Sequence, residues 1–422
     1  FPNNTRFIII FYKLQRYPIC KAFFKSPKVI CIFEKKKQVN FFSSSKKLGI
    51  LGGGQLGKML LYSSRKWDIY TAVMDPNEKA PARLACNEFS QGDLMDYEAV
   101  YNFGKKVDLL TIEIENVNVK ALLDLKKEGL KVYPQPEILE IIQNKTLQKK
   151  FYIQNKIPTA GFREFKDLDS LKNSIAKGNL SFPFVWKAAL MGYDGFGVSI
   201  VRNNKDLEKL NEGECIAEDF ISFKSELSVI VARRPQGEIL TYPVVEMEFN
   251  SFANQVEYVI SPARISKSEE IKVKDLAFKI AKKYKHVGVL AIEFFLTETG
   301  DILVNEVAPR PHNSGHLTIE ASTTNQFDQH LRAIMDLPLG DTSSKICSVM
   351  VNLVGDKNHR GPVFYKNIDQ ILAIKGVTPH LYGKNNTRPF RKMGHVTVVN
   401  NKIEKARKIA EDIKSIIQVI SK

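Results

Sequence analysis

From residue 47 onward, short apolar runs alternate with stretches of helical period. KLGIL (47–51) is a buried-type strand, GGGQLG follows it, and QLGKMLLYSSRK then spaces its apolar residues as a helix does. IYTAVMD (69–75), VDLLTIEIE (107–115) and KVYP (131–134) read as further strands, with helical segments near 96–106 and 118–128. This rhythm predicts an α/β domain, a Rossmann-like parallel sheet with helices on its faces, over residues 47–135.

The texture changes at 136. PEILEIIQNKTLQKKFYIQNK is helical, FREF opens an α+β unit, and SFPFVWKAAL (181–190) is a strand carrying Lys187. This second domain is expected over 136–344, and a small C-terminal domain over 345–422. The latter holds the strands ICSVMVNLVG and HLYGK, the basic loop TRPFRKMGHVTVV and an amphipathic helix from about 401.

A chain of 422 residues exceeds one ordinary core, which agrees with two or three domains. The net charge of +16 suggests nucleic acid, but residues 1–47 hold eleven Lys or Arg against Glu34, leaving only +6 for the rest. Residues 1–46 lack a clear period and are expected to be a leader outside the fold. The remaining surface predicts neither a nucleic-acid partner nor a membrane one, since no apolar run is long enough to span a bilayer. Cys20, Cys31, Cys86, Cys215 and Cys347 are scattered, which favours a reducing, cytoplasmic location.

Four stretches carry candidate chemistry. Gly52, Gly54 and Gly57, with Asp75 downstream, satisfy the dinucleotide fingerprint, whose N–H groups suit a pyrophosphate or a single phosphate. MGYDGFGVSIV (191–201) is a glycine hairpin loop able to fold over a triphosphate, with Lys187 as a fixed charge. In ECIAEDFISFKSELSVIVA, Glu218, Asp219 and Glu226 flank apolar residues in a way that suits an adenine and its ribose. In GVLAIEFFLTETGDILVNEVAPRP, a tight turn at Thr299-Gly300 sets Glu293 opposite Glu306. Two facing carboxylates repel, and a hard divalent cation such as Mg²⁺ removes the conflict. On this reading, neutralising Glu306 leaves the metal-free protein as stable as before or more so.

In this order, Lys187, the glycine loop, EDFI and the Glu293/Glu306 hairpin resemble the ATP-grasp ligases. GGGQLG, TIEIENV, GYDG, NEVAPRPHNSGH and RKMGH are similar to the branch of that family that carboxylates 5-aminoimidazole ribonucleotide, over roughly 47–420. The resemblance implies an ATP-grasp fold between a Rossmann-like domain and a small C-terminal domain. It implies ATP contacts from Lys145, Lys187, Gly192, Tyr193, Asp194, Gly195, Phe196, Gly197, Val198, Glu218, Asp219, Phe220, Ile221, Glu226, Asn305 and Glu306. Mg²⁺ would sit on Glu293 and Glu306. The ribonucleotide would meet Gly54, Gln55, Glu115, Arg310, His312 and Asn313, with Lys384 and Arg391 near its phosphate. Tyr193, Asp194 and Arg310 would serve the chemistry, with bicarbonate as co-substrate and the chain as a homodimer. Two positions depart from the pattern: Phe196 stands where many relatives carry a basic residue, and Asn250 is the nearest polar residue where a His is usual. A nicotinamide-dependent dehydrogenase built on Gly52–Gly57 and another ATP-grasp ligase, such as a formate-dependent glycinamide ribonucleotide transformylase, stand as alternatives.

Overall fold

The computed structural model describes residues 45–190, 197–250 and 255–422. Nearly all of the expected leader lies outside them, as do Gly192, Tyr193, Asp194, Gly195 and Phe196 of the glycine loop.

The first sheet has five parallel strands in the order Glu88–Gln91, Tyr70–Asp75, Lys47–Leu51, Leu109–Ile112 and Lys131–Val132. Glu88–Gln91 was not expected: EFSQ is a half-exposed edge strand with no apolar run to announce it. The strand expected over 107–115 is shorter, Leu109–Ile112; Glu113 N–H still donates to Leu51 O at 2.8 Å, and the chain then leaves the sheet toward Glu115.

That departure decides what the glycine turn binds. The N–H groups of Gly54 and Gly57 both donate to the Glu113 carboxylate at 2.9 Å, and that of Gly53 donates to Asp75 at 2.7 Å. The anion at this helix N-terminus is thus the protein's own. Gly52 has φ +99°, and a Cβ there would lie 2.3 Å from the Glu113 side chain, so the turn closes around that residue. A pyrophosphate would have to evict two carboxylates. The dinucleotide fingerprint is therefore corrected to an internal lock, with Asp75 a loop anchor rather than a ribose ligand.

The central part holds a four-stranded antiparallel sheet, in the order Phe162–Phe165, Cys215–Asp219, Phe184–Ala188, Val198–Val201. Beside it in sequence, a nine-stranded sheet runs from Ile302–Ala308 through Gly288–Thr297 and Phe223–Arg233 to Gln255–Ser261. It continues unbroken into Cys347–Val354 and Lys392–Asn400, because Tyr258 to Ser261 pair with Val351 to Ser348. One sheet therefore crosses from the second proposed domain into the third.

Alternation along these strands sorts the two faces. Leu227, Val229, Val231, Leu290, Ile292 and Phe294 pack on Val273, Ala277, Ile280 and Tyr284 of the helix Lys267–Tyr284. Glu226, Ser228 and Glu293 point the other way, and that face carries the polar side chains considered next.

Glu113→Gln tests the internal lock. An amide can accept from one glycine N–H but turns a donor toward the other. Stability in chemical denaturation should fall by about 1–3 kcal/mol, the usual cost of a buried donor left without an acceptor. Unchanged stability would mean that the turn holds its shape without the carboxylate.

Candidate active site

Glu293 does face Glu306, though not through the turn expected. The hairpin closes with a three-residue loop: Thr297 N–H donates to Asp301, Gly300 N–H donates to Thr297, and Gly300 has φ +83°. This loop displaces the register by one residue relative to a two-residue turn. A bulge shifts it back, since Ile292 pairs Val307 while Phe294 pairs Val304, leaving Asn305 and Glu306 together opposite Glu293. The bulge also keeps Val307 in the core with Ile302 and Val304 while Glu306 turns toward the cleft.

The helix Lys145–Gln154 lays two lysines against this edge. Its first turn is fixed by the Asn144 side chain, which accepts from Leu147 N–H, and by Lys145 N–H donating to Ala189 O at 2.8 Å. Lys145 Nζ reaches Glu306 Oε2 at 2.8 Å. One turn on, Lys149 Nζ lies 3.0 Å from Glu218 Oε1, and Lys187 Nζ lies 3.0 Å from Glu218 Oε2 and 3.1 Å from Asn305 Oδ1. Two of the four acids here, Glu218 and Glu306, thus meet three lysines, while Glu226 and Glu293 form no ion pair with a lysine among the described residues.

Their electrostatics differ. The Lys145 charge holds the Glu306 carboxyl below its ordinary range, against partial burial. Burial, then the charges of Glu306 and Glu226, pushes Glu293 up. Burial and Glu306 likewise lift Glu226 to about 7. Burial works against the charge on Glu218, yet Lys187 and Lys149 outweigh it and keep its carboxyl low. Negative charge is therefore crowded at Glu226 and Glu293, beyond what the lysines offset. A hard dication between the facing carboxylates of Glu293 and Glu306 would offset that excess. No group of three or more His, Cys, Asp or Glu side chains is arranged for a metal among the described residues.

The nucleotide-side residues divide into two groups. Glu218 is buried and committed to its lysines, while Asp219 and Phe220 are exposed and Ile221 is half-buried. Phe223, at the start of the next strand, stacks on Phe295 with ring centroids 4.8 Å apart. Gly197 has φ +76° and its carbonyl accepts from Ala188 N–H, so the loop re-enters the sheet beside Lys187, just before Val198.

At the other end, Arg310 Nε donates to Glu115 Oε2 at 2.8 Å, and Gln143 holds the Glu115 carbonyl. His312 joins the two ends: its Nε2 is 3.6 Å from Glu293 Oε1, and its Nδ1 is 2.9 Å from Ser314 Oγ. Asn313 is buried and exchanges two 2.9 Å amide bonds with Asn352, so its side chain clamps the Asn313–Gly315 turn to the strand Cys347–Val354. Gly54 has its N–H on Glu113, and Gln55 opens the helix beside it, half-buried. Lys384 Nζ donates to Lys392 O at 2.8 Å and Arg391 to Asn386 O; Lys58, from the first helix, donates to Leu381 O.

Several residues here escaped sequence reading. Lys149 sits four residues after Lys145, but a lysine on a helix ordinarily reads as a solvated face. Lys58 hides in the same way. His316 and His395 come from NSGH and RKMGH, and their rings stack at 4.6 Å; His380 stacks on His395 at 4.5 Å and meets Glu320 at 2.7 Å. The recurrence of GH in both motifs was the available signal.

Fold and site together define an ATP-grasp protein. Three family models tile the chain: a ribonucleotide synthetase preATP-grasp domain over 45–143, an ATP-grasp domain over 150–327, and a phosphoribosylaminoimidazole carboxylase C-terminal domain over 348–409. The N5-carboxyaminoimidazole ribonucleotide synthase of Bacillus subtilis is 39% identical over 83% of this chain and 90% of its own length. The solved N5-carboxyaminoimidazole synthase of Aspergillus clavatus, in complex with ADP and 5-aminoimidazole ribonucleotide, superposes with a TM-score of 0.80 at 33% identity. That match covers 88% of this chain and 98% of the other. The chain belongs to the N5-carboxyaminoimidazole ribonucleotide synthase family. The phosphoribosylaminoimidazole carboxylase of Saccharomyces cerevisiae is 36% identical over 84% of this chain, which spans 64% of that longer relative.

The Lys145–Glu306 pair revises one expectation. Neutralising Glu306 strands Lys145, so the relief of repulsion expected there belongs to Glu293 instead. Glu293 keeps its proton in the folded state to about pH 8, whereas an unfolded chain releases it near 4.5. Over that window the unfolded state binds fewer protons, so Glu293 lowers stability as pH rises. With chelator present, Glu293→Gln should flatten the fall between those pH values, and Glu306→Gln should lower stability throughout. Thermal melts across the window decide it; parallel profiles for Glu293→Gln and the parent would show that the Glu293 carboxyl is not lifted in the folded state.

Proposed function

We propose that the chain carboxylates 5-aminoimidazole ribonucleotide to 5-(carboxyamino)imidazole ribonucleotide in purine biosynthesis, consuming ATP and bicarbonate and releasing ADP and phosphate. The observation that carries this reading is the two-ended cleft: lysines and carboxylates at Lys145–Glu306 and Lys187–Glu218, the Glu115–Arg310 pair at the far end, and His312 between them. The family supports it, as does the relative from Aspergillus clavatus that carries ADP with the ribonucleotide.

On this reading a bicarbonate oxygen attacks the γ-phosphorus of ATP, the bond to the β-phosphate oxygen breaks, and carboxyphosphate and ADP form. The exocyclic amine of the ribonucleotide then attacks the carboxyl carbon; the bond to phosphate breaks and the amine loses a proton. Lys145 and Lys187 would draw the phosphates into line, a positioning and charge-neutralising role. Glu293 and Glu306 would hold Mg²⁺, which supplies charge neutralisation on the phosphoryl oxygens. Arg310, oriented by Glu115, would face the anionic carboxyl donor. Lys384 and Arg391 are the proposed phosphate anchors of the ribonucleotide, with Lys58 beside them. The glycine loop would exclude water, and Tyr193 and Asp194 within it belong to the proposal. A homodimer and a cytoplasmic location complete it; the free thiols of Cys86, Cys215 and Cys347 suit a reducing compartment.

ADP release, followed in a coupled assay, should rise when 5-aminoimidazole ribonucleotide is added with bicarbonate and Mg²⁺. A rise with glycinamide ribonucleotide and formate instead would move the chain to a different ligase activity.

A further inference from the structure

The helix Lys145–Gln154 offers two lysines to the cleft, and the reaction above uses only the first. Lys149 is 2% exposed, as deeply buried as the apolar core around it. Its Nζ donates to Thr159 Oγ1 at 2.6 Å, and Thr159 Oγ1 donates to Val304 O at 2.9 Å, the residue before Asn305. Its charged partner is Glu218, at 3.0 Å. That contact is at ion-pair distance, but Glu218 Oε1 has no aligned hydrogen bond, so the attraction is Coulombic rather than directional. The other oxygen of the same carboxylate holds Lys187.

Burying an ammonium is costly unless it is paired and hydrogen-bonded. Here one buried carboxylate has two buried cations, one more than its own charge requires. We propose that Lys149 is a positioning residue of the nucleotide site, keeping Glu218 neutralised and in place when Lys187 turns from that carboxylate to a phosphate oxygen. This rests on the nucleotide reading above. With Lys149 absent, withdrawing Lys187 would leave Glu218 buried and alone, and that cost would fall on nucleotide binding. The ribonucleotide end, at Glu115 and Arg310, would not share it.

Calorimetric titration of the full chain with ATP and Mg²⁺, and separately with 5-aminoimidazole ribonucleotide, tests the role. Lys149→Met should weaken ATP binding at least about tenfold, a lower bound on the cost of leaving a buried charge without its partner. Ribonucleotide affinity should stay within about twofold, as for independent sites. In a Glu218→Gln background, where no carboxylate needs support, Lys149→Met should leave ATP affinity unchanged. Equal losses in both backgrounds, or full ATP affinity in Lys149→Met alone, would overturn the proposal. If Lys149→Met does not fold, Glu218→Gln against the double variant decides: equal ATP affinity supports the role and a further loss overturns it. Failure of the unsubstituted chain to bind ATP would overturn the nucleotide reading first, before any variant is compared.

Discussion

Charge balance on one face of one sheet governs this molecule. Glu226, Glu293 and Glu306 stand on strands whose other face is the main apolar core, so none can retreat without unpacking it. Burial pushes their carboxyls up; Lys145 more than offsets this at Glu306, and Lys149 and Lys187 do the same for Glu218. Glu226 and Glu293 have no lysine at comparable distance among the ion pairs described, and their carboxyls are lifted instead. The result is a cleft whose cations are already engaged and whose acids are incompletely neutralised. A polyanion with a bound dication answers both conditions at once: it gives the lysines phosphate oxygens and gives the carboxylates a metal. Either component alone would worsen one side of the balance.

The first domain solves a related problem in the opposite way. Its glycine turn presents N–H groups to an anion, and Glu113 fills the place from within the chain. The same short stretch then sends Glu115 to Arg310. Two carboxylates two residues apart therefore tie the parallel sheet both to its own helix and to the loop that follows Glu306. The fingerprint on the glycines described this backbone shape correctly, but the partner of those N–H groups lies some sixty residues away, where no local pattern can announce it.

The sequence made the strands with strong apolar alternation legible, and with them the parallel sheet, the hairpin and the acids it carries. Glu88–Gln91 was invisible because an edge strand buries little. The facing of Glu293 and Glu306 was reached by assuming a two-residue turn; the true loop has three, and the bulge at Asn305–Glu306 cancels the difference. Turn type and bulge both depend on contacts beyond the hairpin, so only their combined effect could be anticipated. Lys149 and Lys58 were missed because what a helical lysine meets, a buried carboxylate or a loop carbonyl, depends on what packs above its helix. The bond between Asn313 and Asn352 could not be anticipated, because the partner belongs to a strand thirty-nine residues on.

NEVAPRPHNSGH shows why such a dense polar segment can exist at all. Its residues alternate between facing the cleft and being held by the scaffold. Asn305 and Glu306 meet Lys187 and Lys145, Arg310 meets Glu115, and His312 meets Glu293. Between and after them, Val307 enters the core, Asn313 clamps Asn352, and His316 stacks on His395. Each anchor fixes the phase of the next functional side chain along the segment. The bulge sets that phase at its start, because without it Glu306 would exchange places with Val307, putting a carboxylate in the core and an apolar side chain in the cleft. One extra residue in one strand is thus what lets a single segment serve both ends of the site.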